Sequence, residues 1–456
     1  MTFSALDSGL TGPLFASDAM RAVFSERNCI AAMLAAETAL ARAESASGLV
    51  PKGLAPALAR IKADDLDIAA LGERTRDAGV VAIPFVKAVE ALLPETLRGG
   101  VHKGATSQDI VATALVLQMA EAFSLIAADL VAIIDGLSSL ARTHRRTPCV
   151  GRTYGQHAAP ITFGTVAATW LTGIAEVASD LPALKKKAIV ASLGGPVGTL
   201  AGLGDAAEAV RKGFARELGL GIAPVNWHTN RARLVAVSTW LATLVATLAR
   251  MATDVVFLSA TEIGEVSEPA AEGRGGSSSM PHKRNPVSSS VILAAHAAAP
   301  GLVVTMLNAA ASGQQRPAGP WQGEWHALPQ LFGLASGALR EARRLAEGLA
   351  VDAVRMRANL NLTRGLIFAD AASSVLARKR ARARAQALVA KAAERVRQTG
   401  QSLREALAAD GIDNAVLDEA FDLKPSISAA ALACDRAITA ARDVRRGLRK
   451  LGPCLP

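Results

Sequence analysis

The chain has 456 residues and a formal net charge of +10, with 50% of its residues hydrophobic and only 4% aromatic. This length exceeds one ordinary hydrophobic core, and an alanine- and leucine-rich composition favours long helices over a β-sandwich, so several helical domains are expected. With one tyrosine, no glycine–aromatic RNA-binding motif and no zinc-ligand spacing, the positive charge does not indicate a nucleic-acid-binding protein, although it would steer small polyanions toward clefts.

The N-terminal part, residues 1–110, shows short helical patterns that prolines interrupt. Residues 1–12 contain neither a basic start nor an apolar run, so no secretory signal is expected. The four cysteines are isolated, without metal-ligand or redox-motif spacing. That pattern favours reduced thiols and a cytoplasmic location.

The segment 102–109 (HKGATSQD) is the first candidate for binding a carboxylate. Thr106 and Ser107 place hydroxyl groups just before a predicted helix, whose N-terminal N–H groups also attract anions. That helix is expected to begin near Ser107 or Gln108, with Asp109 favourable in its first turn. A simple helix cap is the alternative interpretation of the same pattern.

The helix that starts near Ser107 is predicted to be long. Its hydrophobic residues recur at steps of three and four, which is typical of a helix packed in a coiled-coil-like bundle. This seam comprises Ile126, Leu130, Ile133, Leu137 and Leu140.

The segment 151–157 (GRTYGQH) is the second candidate. In a helix, its three- and four-residue spacing would place Thr153, Gln156 and His157 on one face, where they could bind a carboxylate. A purely structural histidine is the alternative role for His157. A further helix is expected over residues 161–187, bent or interrupted by its proline.

A second and longer seam follows with the same steps of three and four. It comprises Leu234, Val237, Leu241, Leu244, Leu248, Met251, Val255 and Leu258. The uncharged part of this segment is too short to span a membrane. The uncharged segment 286–315 is longer but contains several polar residues, so it is expected to be a buried helix that begins at Pro286 and kinks at Pro300. No membrane-spanning segment is therefore predicted.

The segment 276–286 (GSSSMPHKRNP) is the most informative part of the chain. Its glycine- and serine-rich backbone can form a concave anion site, and Lys283 adds a full positive charge. One of the serines could exchange a proton with the carbon next to a carboxylate, because fixed positive groups would stabilise the enolate-like dianion that forms. A flexible linker followed by a solvated Lys-Arg pair is the alternative.

The segment 315–325 (QRPAGPWQGEW) is the fourth candidate. Arg316 could bind a carboxylate through both arms of its guanidinium group, and the two tryptophans could line a pocket. Tryptophans that pack between domains are the alternative. Farther along the chain, the basic residues of segment 378–384 would surround most of a helix, which indicates a solvated surface.

Together these elements predict an all-α protein with a central bundle of long helices. The expected division is an N-terminal helical domain over 1–110, the central bundle over 111–360 and a C-terminal helical domain over 361–456. A long bundle with such apolar seams is usually oligomeric, because one bundle cannot cover all of its own faces.

The order and spacing of the four segments resemble the fumarase/aspartase superfamily, whose members add or eliminate groups β to a carboxylate. Its three signature regions correspond to the surroundings of 106–109, 151–160 and 262–286, and the resemblance extends over most of the chain. It implies three all-helical domains and a homotetramer with a twenty-helix core formed by the central bundle. It also implies active sites that each draw residues from three subunits.

Within the superfamily, residues 280–286 (MPHKRNP) resemble those of adenylosuccinate lyases and of bacterial 3-carboxy-cis,cis-muconate cycloisomerases. The cycloisomerases are the more similar at 227–231, 319–325 and 352–360. Tyr154 stands where relatives that eliminate amines or hydroxide usually carry a histidine. A carboxylate leaving group is far less basic than an amine, so it needs no general acid at that position.

This resemblance implies a cycloisomerase that converts 3-carboxy-cis,cis-muconate, a tricarboxylate, to 4-carboxymuconolactone in protocatechuate catabolism. It assigns proton transfer to Ser277, or alternatively to Ser278, and stabilisation of an aci-carboxylate intermediate to Lys283 and Asn285. The other substrate-binding residues would be His102, Thr106, Ser107, Thr153, Gln156, His157, His228 and Arg316. No metal, organic cofactor, nucleic acid or membrane partner is implied. An adenylosuccinate-type lyase and a non-catalytic structural protein on the same scaffold are the alternatives.

Overall fold

The computed structural model describes residues 3–277 and 279–451. Helices form most of the regular structure, which confirms the prediction of an all-α fold. The N-terminal part contains α1 (Gly12–Phe15), α2 (Asp18–Val23), α3 (Glu26–Ala46), α4 (Leu54–Leu58), α5 (Ile68–Ala78) and α6 (Ala82–Ala91). The central part contains α7 (Ser107–Thr143), α8 (Phe163–Ser179), α9 (Leu181–Ala188), α10 (Ala207–Glu217), α11 (Ala232–Leu258), α12 (Val287–Ala310) and α13 (Pro320–Gly348). The C-terminal part contains α14 (Ala353–Asn361), α15 (Ala369–Ala377), α16 (Arg382–Thr399), α17 (Leu403–Ala409), α18 (Asn414–Ala420) and α19 (Lys424–Arg449).

Short strands accompany the helices as two antiparallel pairs. They are β1 (Pro148–Thr153) with β2 (Gln156–Thr162), and β3 (Val266–Ser267) with β4 (Ala350–Val351). The second pair joins the loop that follows α11 to the end of α13. These two segments are therefore held together at one end of the bundle.

The long helices form where the sequence predicts them. Helix α7 begins at Ser107, and Asp109 in its first turn accepts a hydrogen bond from the Thr106 N–H at 3.1 Å. The seam predicted on α11 is confirmed, because all eight of its residues are buried and the most exposed, Leu258, is only 7% accessible. At 1.5 Å per residue, α7 is about 55 Å long and α11 about 40 Å.

The central helices pack side by side as a bundle. Helix α12 packs against both α11 and α13, and α7 packs against α8 and α13. One apolar core runs without interruption from the N-terminal helices into the bundle, whereas α15 to α18 enclose a small core of their own. Helix α19 returns to the bundle and packs against α7 and α8. The domain boundaries at residues 110 and 360 stay predictions.

The interpretation of residues 151–157 as a helix is wrong. Strands β1 and β2 form a hairpin in which Thr153 pairs with Gln156. Its two-residue turn, Tyr154 and Gly155, has φ angles of 52° and 74°, as a type I′ turn requires. Because side chains alternate along a strand, Thr153 and Gln156 share one face of the hairpin and His157 lies on the other. A turn signal weaker than Asn-Gly was therefore enough to close this hairpin.

Two helix boundaries also differ from the prediction. The helix expected over 161–187 is two helices, α8 and α9, which meet at Asp180. Pro182 lies in the first turn of α9, where its missing N–H leaves no hydrogen bond unmade. The helix expected from Pro286 begins one residue later, at Val287, and contains Pro300.

Among the described residues, three helices, α7, α11 and α12, are long and apolar enough to cross a membrane by length and composition alone. The most apolar windows of α7 and α11 are 67% and 50% buried within the chain, whereas that of α12 is only 28% buried. Packing inside the bundle thus accounts for much of the apolar character of α7 and α11. Helix α12 presents an apolar face to the outside of the single chain, where Val304 and Leu307 are more than half exposed. That no segment spans a membrane stays a prediction.

Helix α3 buries a carboxyl group without a hydrogen-bond partner among the described residues. The side chain of Glu44 is fully enclosed, and both of its oxygens lack a partner. Burial, and then the negative charge of Glu37, raise the pKa of Glu44 from 4.5 to about 8, although Lys103 opposes this. The folded protein therefore keeps a proton on Glu44 over a pH range in which the unfolded chain has released it.

We predict that Glu44→Gln, which mimics the protonated acid, stabilises the protein near neutral pH. Below about pH 4.5 both states of the wild type carry the proton, so the variant gains nothing there. As the pH rises to about 8 only the unfolded chain ionises, and the wild type progressively loses stability. The expected gain at high pH is on the order of 1–3 kcal/mol in urea unfolding. Glu73→Gln, on an exposed side chain, is the control, and a gain independent of pH would contradict the prediction.

Candidate active site

The buried carboxylate of Asp109 joins three separate segments at the start of α7. It accepts hydrogen bonds from the Thr106 N–H at 3.1 Å and from the N–H groups of Gly194 and Gly195 at 2.9 and 2.8 Å. Nε2 of the buried His228 lies 2.6 Å from the same carboxylate. Thr106, the glycine loop and His228 are therefore held together although they are far apart in sequence.

Glycine is required where this loop approaches its neighbours. Gly195 has a φ of 69°, and an added Cβ would lie 2.8 Å from the Gly104 carbonyl oxygen. At Gly198 an added Cβ would come within 1.7 Å of the Asn226 side chain. The loop can thus bring its N–H groups to Asp109 only because these positions carry no side chain.

Arg316 reaches the same place from the loop between α12 and α13. Its Nε donates to Oε1 of the buried Gln108 at 2.9 Å, and Gln108 in turn donates to the His228 carbonyl oxygen at 2.9 Å. A second guanidinium nitrogen, Nη2, contacts the Pro196 carbonyl oxygen at 3.4 Å. Among the described residues Nη1 has no hydrogen-bond partner. The half-buried guanidinium group is therefore anchored on one side and free to bind an anion on the other.

Arg231 follows His228 and Glu324 follows Arg316 in their motifs, and these two residues form a buried ion pair. Arg231 donates to both carboxylate oxygens of Glu324, at 2.7 and 2.5 Å, and both side chains are only 1% exposed. The guanidinium carbon of Arg231 lies 4.8 Å from the ring centroid of the buried Trp227. Breaking such a pair would leave an unpaired buried charge, so the Arg316 loop is firmly tied to the start of α11.

The predicted residues of the hairpin lie in a second place. Thr153 and Gln156 are exposed at its tip, and the side chain of Tyr154 is fully accessible. The tip of the hairpin is held by Arg152, which pairs with the buried Glu265 at 2.5 Å just beyond the C-terminal end of α11. Burial first, and then the charge of Arg152, lower the pKa of His157. Its neutral form is therefore favoured.

The serine-rich loop forms a third group of predicted residues. The Asn285 N–H donates to the Gly275 carbonyl oxygen at 2.8 Å, which closes the loop, and the Ser277 hydroxyl oxygen accepts from the Met280 N–H at 3.2 Å. Lys283 and Asn285 are exposed and line a cleft of about 320 Å³ together with Gly276. Ser278 lies outside the described residues.

Both ends of this loop are anchored to the bundle. Arg274 pairs with the buried Glu341 and donates to the Ser288 hydroxyl at 2.7 Å. Glu268 caps the start of α12, accepting from the N–H groups of Ser288 and Ser289 at 2.8 Å each. Ser277, Lys283 and Asn285 therefore lie on a loop whose two ends are fixed to the bundle.

A single chain brings some predicted residues together and separates others. His102, Thr106, Ser107, His228 and Arg316 gather at the N-terminal ends of α7 and α11. Ser277, Lys283 and Asn285 lie at the opposite end, because their cleft is also lined by Ser259, which follows α11 directly. The length of α11 sets these two groups about 40 Å apart. No hydrogen bond or ion pair links them within the part of the chain that the structure describes.

Several residues that organise these groups carry no signal in the sequence. Gln108 and Asp109 read only as part of a helix start, because their partners lie more than eighty residues away. Glu37 stands outside every recognisable pattern, and Glu268 and Arg274 lie within the signature region 262–286 but before the serine-rich segment 276–286. Within residues 3–277 and 279–451, no cluster of three or more His, Cys, Asp and Glu side chains is placed to hold a metal ion.

Comparison with known proteins identifies the family. A family model described as Lyase matches residues 15–301. The 3-carboxy-cis,cis-muconate cycloisomerase of Bradyrhizobium diazoefficiens is 42% identical over 407 residues, 88% of this chain and 90% of that protein. The nitrosuccinate lyase of Streptomyces davaonensis is 39% identical over 452 residues, 95% of each chain. The crystal structure of the 3-carboxy-cis,cis-muconate lactonizing enzyme from Pseudomonas putida superposes with a TM-score of 0.91 at 39% identity, covering 96% of this chain and 100% of that one. The chain therefore belongs to this lyase family, within the fumarase/aspartase superfamily.

Proposed function

We propose that the protein is a 3-carboxy-cis,cis-muconate cycloisomerase that forms 4-carboxymuconolactone in protocatechuate catabolism. The observation that carries the proposal is the Ser277 loop, which is anchored at both ends and places Lys283 and Asn285 on one cleft. Similarity to the cycloisomerases over most of the chain supports the substrate. A trianionic substrate also suits a protein with a net charge of +10.

The proposed reaction begins with attack by one substrate carboxylate oxygen on the conjugated alkene, which closes the lactone ring. The electron pair of the alkene moves onto the carboxylate at its far end and gives an aci-carboxylate. Lys283, Asn285 and N–H groups of the loop stabilise that charge. The Ser277 hydroxyl then gives its proton to the carbon next to the aci-carboxylate, and a proton from solvent restores the hydroxyl.

The other carboxylates of the substrate are assigned to polar groups at the start of α7, on the Arg316 loop and at the hairpin tip. Thr106 and Ser107 offer hydroxyls at the N-terminus of α7, and Arg316 offers its unpartnered Nη1. Thr153 and Gln156 complete the site from the hairpin tip. Tyr154 at that tip is no strong acid, and none is needed when the group that leaves in the reverse reaction is a carboxylate.

A complete site requires more than one copy of the chain. The Ser277 group and the Arg316 group are separated by the length of α11, about 40 Å, which no loop movement of a few residues can span. The largely uncovered apolar face of α12 supports packing against further copies. We propose a homotetramer in which the hairpin, the serine loop and the Arg316 group of each site come from three subunits. A cytoplasmic location and a reaction without metal or organic cofactor belong to the same proposal.

Nitrosuccinate is the second candidate substrate. The lyase of that name aligns with 95% of this chain at 39% identity, a longer alignment than the cycloisomerase gives. A lyase acting on nitrosuccinate would expel nitrite, which is weakly basic and also leaves without a general acid. The same serine and cationic loop would serve both reactions. An adenylosuccinate-type lyase is less well supported, because its amine leaving group needs an acid that Tyr154 does not supply.

We predict that the purified protein consumes the conjugated diene of 3-carboxy-cis,cis-muconate, measured as a loss of ultraviolet absorbance. Ser277→Ala should lower kcat by at least about 10²–10³, the cost of losing one preorganised polar group in a catalytic site. Ser279→Ala, a neighbouring serine in the same loop, is the matched control and should retain activity. An active Ser277→Ala beside an inactive Ser278→Ala would transfer the role to Ser278. If the folded wild type consumes nitrosuccinate and not 3-carboxy-cis,cis-muconate, nitrosuccinate becomes the proposed substrate.

We also predict that two inactive variants restore activity when mixed. Ser277→Ala and Arg316→Ala should each be inactive, but mixed tetramers would contain sites that draw both intact residues from different subunits. With equal amounts and random exchange, about a quarter of the sites would be intact. Ser277→Ala mixed with Lys283→Ala is the control and should recover nothing, because both residues lie on one loop. Failure to recover activity in verified mixed tetramers would contradict the shared site.

A further inference from the structure

Glu37 is a buried residue of α3 that lies outside every motif of the sequence. Its carboxylate contacts His102 at two points. One carboxylate oxygen accepts the His102 backbone N–H at 3.1 Å, and the other lies 2.6 Å from Nδ1 of its ring. The Glu37 side chain is 1% exposed and that of His102 is 19% exposed. Since Glu37 takes Nδ1, the ring nitrogen left to meet a ligand is Nε2.

The backbone of His102 is held in a conformation that its own side chain disfavours. Its φ of 61° lies in the left-handed region, which costs a non-glycine residue free energy. On the far side of the same loop, the Gly104 carbonyl oxygen packs directly against Gly195. The loop is thus clamped between Glu37 and the glycine segment that Asp109 holds. Strain maintained by surrounding contacts is characteristic of sites where a side chain must point in one direction.

The charges around His102 favour its cationic form. Burial lowers the pKa of the imidazole, but the hydrogen bond to Glu37, the charge of Glu37 and that of Asp109 on α7 together outweigh burial and raise it. The other charged neighbour is Lys103, whose ammonium group donates to the Leu49 carbonyl oxygen at 2.8 Å. Glu44 lies on the same face of α3, about two turns after Glu37. It keeps its proton because burial and Glu37 raise its pKa to about 8. Both carboxylate contacts to His102 therefore come from Glu37.

We propose that Glu37 is a positioning residue that fixes His102 so that Nε2–H donates to a carboxylate of the substrate bound at Thr106 and Ser107. This inference rests on the proposed function for the identity of that substrate. Histidine 102 lies on the loop that leads directly into α7, so a donor there adds a third group to the two hydroxyls at the helix start. The fixed imidazolium would bind the ground state and the intermediate alike, which is expressed in KM more than in kcat.

The first experiment measures the titration of the His102 imidazole. In protein labelled with ¹³C at histidine Cε1, His102→Gln identifies the His102 signal among the seven histidines. The wild-type signal should titrate above the ordinary histidine value of 6.5, and Glu37→Gln, which keeps the shape but removes the charge, should shift its midpoint to lower pH. Glu44→Gln is the matched control on the same helix, because its carboxyl group has no hydrogen-bond partner among the described residues, and it should leave the His102 midpoint unchanged. An unchanged His102 titration in Glu37→Gln would overturn the proposal.

The second experiment measures KM and kcat for the substrate. Glu37→Gln should raise KM for 3-carboxy-cis,cis-muconate about tenfold or more at a pH between the wild-type and variant midpoints of His102, with kcat within about threefold, and the defect should shrink as the pH falls and His102 regains its proton. His102→Gln should raise KM at every pH, and the double variant should behave like His102→Gln alone. A defect that is independent of pH, or equal in Glu44→Gln, would assign Glu37 a structural role only.

A third measurement separates this inference from the proposed function. If the wild type does not consume the diene, the proposed function fails, but citrate still serves as a tricarboxylate probe. Citrate added to the wild type should shift the His102 signal, and Glu37→Gln should weaken that response at neutral pH. If Glu37→Gln does not fold, the response of the wild-type His102 signal to citrate tests whether Nε2 contacts a carboxylate. If neither saturating citrate nor saturating substrate shifts the His102 signal, Nε2 does not donate to a bound carboxylate and the proposal is rejected.

Discussion

The carboxylate of Asp109 is the contact on which the arrangement around the start of α7 depends. It is fully buried and accepts hydrogen bonds from Thr106, from two glycine N–H groups and from His228. A buried charge satisfied by this many donors cannot be moved without leaving several polar groups unpaired. The start of α7, the glycine loop and the entry to α11 are therefore fixed relative to one another. Arg316 joins them through Gln108 rather than through Asp109.

Buried ion pairs repeat this arrangement at the other loops of the molecule. Arg231 with Glu324, Arg152 with Glu265, and Arg274 with Glu341 each tie a functional segment to a long helix or to its end. Such pairs add little net stability, since desolvation offsets most of their attraction. Their value lies in fixing one geometry, because any other arrangement would strand a charge in the core. Loops of irregular structure are held in this way at both ends of a bundle that is itself apolar.

The length of the central helices imposes the second constraint. Helices of about 40–55 Å are stable here because continuous apolar seams bury one face of each, but they also carry groups at their opposite ends far apart. A chain built on them cannot enclose a small substrate between its own Ser277 and Arg316. The proposed assembly through the exposed face of α12 would resolve this separation, and it would also account for an apolar helix that is largely uncovered in one copy. The proposed shared site and the proposed oligomer thus have a common physical origin in the bundle.

Much of this organisation could be predicted from local patterns alone. The seam on α11, the start of α7 at Ser107 and the break near Pro182 depend on spacing, capping and the missing N–H of proline, all of which act over a few residues. The order of residues along 276–286, rather than their composition, likewise predicts an anion-binding loop, and that role stays a prediction. Residues 151–157 failed this kind of reasoning, because helical and hairpin spacings both group Thr153 with Gln156, and the turn at Tyr154 and Gly155 carries only a weak signal.

The sequence by itself determined where the long helices of the bundle run and which segments are candidates for binding carboxylates, because those properties depend on neighbouring residues. Only the tertiary structure decided that Gln108 and Asp109 organise one end of the site, that Glu37 grips His102, and that Ser277 lies at the far end of α11. Each of these depends on partners separated by tens to hundreds of residues, and no local pattern encodes which buried donor will meet which acceptor. Burial makes such pairings obligatory once the chain is packed, and packing is a property of the whole bundle.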